Sequence, residues 1–187
     1  MKEVTVKLYA FNELSKKVQE QLIEDNRDHE TEHDGWYEPI TEGFKEDMIS
    51  AGFDDITTNF TGFWSQGDGA CFYGKVTDNQ KLIETLKESS YIEKELNIPG
   101  IDELDIRVIK TTHHYAHSNT ITADLEAPDT EYDYSYLEDI ITQWARHKSD
   151  GLYQSLEKYY DELTSDESVT EYLNERGEVF QENGKTL

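Results

Sequence analysis

One cysteine, three prolines and 17 basic residues are a short supply for a chain of 187, and each shortage excludes something. Cys71 stands alone, so an intramolecular disulfide and every multi-cysteine zinc pattern are ruled out. Against 17 Lys and Arg stand 41 Asp and Glu, a formal net charge of −24. Such a field repels nucleic acid and anionic membranes and attracts a basic protein surface; no direct contact with nucleic acid is expected. No apolar run approaches the length of a bilayer-crossing helix, and residues 1–7 read as an amphipathic strand, not a signal peptide. The expected setting is a soluble cytoplasmic protein. Hydrophobic content is only 35%, yet 12 Tyr, 7 Phe and 3 Trp, with hydrophobic periodicity almost end to end, argue for a folded chain over a disordered acidic tail.

The periodicity predicts a single α+β domain over 1–187, with a mixed part (1–127) and a mostly helical, acidic part (128–187). Val4, Val6 and Leu8 alternate as a first strand. Ser15 caps a helix carrying Val18, Leu22 and Ile23. Trp36, Ile40, Phe44 and Met48 stripe a second helix, which Gly52 ends. Ile56, Thr58, Phe60, Gly62 and Trp64 then fall on one face of an extended strand, opposite Thr57, Asn59, Thr61 and Phe63. A turn at Asp68-Gly69 leads into a partner strand from Ala70 to Val76. Asp78 starts a third helix. Leu104, Ile106 and Val108, then Ile121, Ala123 and Leu125, form a second strand pair. Helical spacing governs from Tyr134 onward, and a last helix starts behind 164–167 in the manner of a capping box. The expected architecture is an antiparallel sheet of about four to five strands, helices packed on one side, and a helical C-terminal third.

Three motifs invite chemistry. His29-Glu30-Thr31-Glu32-His33 has the H-E-x-x-H order of zinc peptidases, in which a helix aligns two histidines on one metal. Here the segment is charged on every side at a helix end, which suits a solvated terminus. His113 and His117 are the second cluster; on a straight strand they stand roughly 13 Å apart, and a bend at Tyr115-Ala116 would be needed to join them with Asp124. The turn Gln66-Gly67-Asp68-Gly69 resembles a phosphate loop in its glycines only, since it enters a strand and brings an aspartate. Cys71 has no neighbouring histidine and reads as a buried strand residue. No catalytic residue, metal ligand or cofactor is expected.

The segment Gly-Phe-Trp-Ser-Gln-Gly-Asp-Gly-Ala at 62–70 resembles the signature of an uncharacterised family of small proteins encoded by bacteriophages and prophages. Weaker similarity covers 11–15 and 180–184. That resemblance implies a phage protein working in the bacterial host cytoplasm. Joined to the acidic charge, it leads to an expected function: a non-enzymatic inhibitor of a bacterial defence system, of anti-CRISPR or anti-restriction type. The partner would be a host defence protein with a basic nucleic-acid-binding surface. Carboxylates of Asp129, Glu131, Asp133, Glu138, Asp139, Glu157, Asp161 and Glu162 would supply charge. Exposed Tyr132, Tyr134 and Tyr136 would supply directional contacts, and Trp64, Gln66 and Asp68 a recognition edge. The alternative is a small-ligand or nucleotide binder or hydrolase at the hairpin turn, using Asp68, His113, His117 and Asp124, with Lys75, Arg107 and Lys110 the nearest cations; a third is a host-takeover accessory protein. Oligomeric state is not legible.

Overall fold

The computed structural model describes residues 6–112, 114–127 and 132–186. Val4, His113, Asp129 and Glu131 lie outside them. Along the chain run β1 (Tyr9–Ala10), α1 (Lys16–Asp25), α2 (Glu38–Ser50), β2 (Phe53–Phe60), β3 (Ala70–Val76), α3 (Asn79–Glu88), β4 (Asp105–Lys110), β5 (Ile121–Glu126), α4 (Ser135–Leu163), α5 (Asp166–Glu175) and β6 (Val179–Phe180). The fold is α+β. The chain divides into two compact units, one of residues 38–157 and one of residues 1–37 with 158–187.

The larger unit holds a four-stranded antiparallel sheet in the order β2-β3-β4-β5. Alternation does what the sequence promises: Ile106 and Val108 on β4 and Ile121 and Ala123 on β5 are buried, while Arg107 and Ile109 are exposed. These inward residues join Phe72 and Val76 of β3 in one core with Met48 of α2, Leu82 and Leu86 of α3, and Ile141 and Trp144 of α4. Trp144 stacks on Phe53 at 5.8 Å between ring centroids. The opposite face carries an ion-pair group in which Asp105 meets both Lys75 and Arg107. Gly52 (φ +94°) ends α2, and its carbonyl accepts the amides of Thr77 and Asp78. A Cβ there would stand 2.3 Å from the Asp78 carbonyl oxygen. Asp78 in turn caps α3 through Lys81 N.

Strand β5 lies at one edge of this sheet, and α4 covers its outward backbone groups. Ala123 N donates to Thr142 Oγ1 at 2.8 Å, while Arg146 Nε and Nη2 donate to the Ile121 carbonyl at 3.2 and 3.1 Å. Side chains of a helix thus satisfy the edge that a neighbouring strand would otherwise take. The other edge, β2, is irregular between Asp54 and Thr57, with Asp55 at φ +50°.

In the smaller unit β1 pairs antiparallel with β6. Phe11, Leu14 and Leu22 form a core with Val169, Leu173 and Phe180. One expectation is corrected here. The first strand is Tyr9–Ala10, not a stretch through Val6 and Leu8, which are 43% and 38% exposed; its partner β6 has only two residues, so the ladder cannot extend. The short tail after α5 supplies that partner. Two boundaries shift as well: Trp36 lies just before α2, and α5 is capped by Ser165 through Ser168 N, with no glutamate at the reciprocal position.

Candidate functional site

At the start of α4 the sequence-predicted acidic and tyrosine residues fall into different roles. Asp133 Oδ1 accepts Ser135 N at 2.9 Å, and hydrogen bonds from Ser135 hold its carboxyl below the usual range; the carboxylate thus satisfies the first amide of the helix. Tyr134 is not the exposed contact expected of it. Its ring is half-buried against the core and its hydroxyl donates to the Pro99 carbonyl at 2.7 Å. Beside it Tyr132 is 45% exposed, with ring centroids 4.7 Å apart, and Tyr136 one turn on is 66% exposed. Glu138 is half-buried and Asp139 exposed on the same turns. No basic residue appears in α4 before Arg146. Two tyrosines therefore stand exposed beside a first stretch of α4 that carries acidic residues and no basic one.

The hairpin differs from its predicted form. Pairing of β2 with β3 stops at Phe60 and Ala70, and the intervening residues form a long loop rather than a tight turn. Phe63 is drawn onto Tyr153 of α4, 5.6 Å between centroids, and Trp64 takes φ +66° and is 66% exposed. Packing on a helix thus overrides the strand alternation that 62–64 would otherwise continue. Asp68 closes the loop: its Oδ2 accepts Ser65 N at 2.8 Å and its own amide donates to Ser65 O. The carboxylate is occupied structurally, while Gln66 is exposed. Gly69 is sterically required, because a Cβ would lie 2.4 Å from His117 Cβ. Burial, with Glu157 and Asp68 nearby, pushes the Tyr153 hydroxyl up.

These predicted residues do not make one site. Tyr136 and Tyr153 are separated by 17 positions of α4, about 26 Å along a helix, so the acidic start of α4 and the hairpin loop are distinct surfaces. Asp161 and Glu162 belong to the smaller unit, where Glu162 pairs with Lys158.

Neither histidine motif has ligand geometry among the described residues, where no cluster of three or more potential ligands occurs. His29–His33 falls in turns after α1 instead of on a helix; His29 stacks on Tyr172 at 3.8 Å and its Nδ1 meets the Asn26 carbonyl. His117 packs over Gly69 with a buried Nδ1 that meets no hydrogen-bond partner among the described residues. Asp124 is opposite Arg107 on β5, well along the strand from His117. Cys71 is fully buried and burial pushes its thiol up.

Sequence reasoning missed a cavity of about 540 Å³ between α2 and α4, walled by Phe44, Met48, Trp144 and Leu152. Its signal was present: Gly43 and Gly151 stand in the interior of two helices, and a Cβ at either would meet no described residue within 4 Å.

Residues 36–166 match DUF8835, a domain of unknown function. The chain belongs to the DUF8835 family. The matched region includes the entire sheet-bearing unit, and with it the tyrosine surface, the hairpin loop and the cavity. No curated protein and no solved structure matches the chain.

Proposed function

We propose that this DUF8835 protein is phage- or prophage-encoded and acts in the bacterial host cytoplasm without catalysis, as an inhibitor of a defence system. It binds the basic nucleic-acid-binding surface of a nuclease complex of CRISPR or restriction type and blocks access. The observation that carries this reading is the start of α4, where Tyr132 and Tyr136 are exposed near Asp139 and the helix itself carries no basic residue before Arg146. A net charge of −24 supplies long-range attraction, and binding to a groove built for phosphates releases counterions as DNA does. The aromatic rings supply the contact that fixes orientation. The resemblance of 62–70 to a phage family's signature supports the origin.

The test is binding to a purified nuclease complex as salt is raised. Affinity is expected to fall by at least tenfold between 50 and 300 mM salt, on the order of what several screened charge pairs give. Tyr136→Ala, at a solvent-exposed position, is expected to weaken binding with the fold unchanged. Tight binding indifferent to salt would contradict the charge-based mode.

A further inference from the structure

The α2–α4 cavity has the volume of a small-molecule site, and four features define what it would hold. Its floor is apolar and aromatic, made by Phe44, Met48, Trp144 and Leu152. Both helices keep a glycine in the wall, Gly43 and Gly151, where nothing in this chain needs the space. Glycine inside a helix is unfavourable relative to alanine, so packing and helix stability would each favour a side chain that is not there. Trp144, only 1% exposed, has an indole N–H without an acceptor among the described residues.

The rim carries cationic and donor groups in a chain otherwise dominated by carboxylates. Lys148 lies 5.7 Å from the Trp144 ring centroid and makes no ion pair among the described residues. Next to it, His147 Nδ1 is 2.7 Å from the Tyr91 hydroxyl. Burial raises the Tyr91 pKa and keeps it a phenol, which can donate to Nδ1 and leave Nε2–H as the ring's other donor. Asp47 lines the opposite, α2 wall. One ammonium without an ion pair among the described residues, with one carboxylate elsewhere in the lining and a field of −24 around it, suits a single negative charge and disfavours a polyphosphate.

We propose that this cavity binds a small, flat apolar molecule bearing one anionic group, the body on Trp144 and Phe44 and the anion at Lys148. The site is separate from the tyrosine surface and stands or falls independently of the inhibitor reading. Two dyes test it: anilinonaphthalene sulfonate, an aromatic monoanion, and phenylnaphthylamine, the same skeleton without the sulfonate. The full chain is expected to bind one equivalent of the sulfonate dye, with the uncharged dye about fivefold weaker, the worth of one half-exposed ion pair. Lys148→Met is expected to erase that preference. Gly151→Leu, which meets no atom at Cβ, is expected to abolish binding of both dyes with a thermal midpoint no lower than that of the unaltered chain.

Failure of the unaltered chain to bind either dye, or binding that survives Gly151→Leu, would overturn the site. A preference that persists in Lys148→Met would overturn the anion assignment. A groove that takes no dye but holds a basic amphipathic peptide, lost in Gly151→Leu, would mark a protein-docking face and overturn the small-ligand assignment.

Discussion

Two glycines show how differently one residue type is used. Gly69 sits against His117 with no room for a methyl group; Gly69→Ala is expected to destabilise the protein by about 1–3 kcal/mol, the range for overpacking a tight site, read as a lower urea midpoint. Gly151 faces open space inside α4, and Gly151→Ala is expected to stabilise by roughly 1 kcal/mol through helix propensity. Neither difference is legible from the chain alone, because both depend on what comes close in three dimensions. The Asp105 ion-pair group links stability to pH. Hydrogen bonds from Arg107 and then Lys75 hold its carboxyl below the usual range. A depressed folded-state value stabilises above the unfolded pKa of about 4 and is lost as pH falls through the folded value. Asp105→Asn is therefore expected to lower the urea midpoint at neutral pH, with the difference shrinking as the pH is taken down through the depressed value of the carboxyl.

At the scale of elements, the helices and the second strand pair were readable because local signals and burial agree. Asp78 caps α3 where its spacing says it should, and Ile106 and Val108 face the core as their alternation requires. Reading failed where a distant element decides. Phe63 leaves the strand pattern because Tyr153 packs on it, and β6 exists because Tyr9 and Ala10 pair with it. The covered β5 edge belongs to the same class: nothing near Ala123 announces that Thr142 will accept its amide. Thr142→Val preserves shape and removes that acceptor from a buried amide. It is expected to cost about 1–3 kcal/mol, the penalty of an unsatisfied buried donor, and to speed hydrogen exchange at Ala123.

For the whole molecule, charge is the dominant property. Forty-one carboxylates against 17 basic groups repel one another in the compact state. Added monovalent salt is expected to raise the thermal midpoint as it shortens the reach of that repulsion to about 8 Å at 0.15 M. The sequence made this surface legible in sign but not in arrangement: it grouped Tyr132, Tyr134 and Tyr136, whereas Tyr134 is tied to Pro99 and only its neighbours stand exposed. The most direct test of the central claim compares nuclease complexes challenged with the unaltered protein and with a Tyr132→Ala, Tyr136→Ala double variant at low and moderate salt. Inhibition of DNA binding by the unaltered protein is expected, relieved by salt and markedly weaker for the variant. Inhibition equal in both proteins, or absent at every salt concentration, would contradict it.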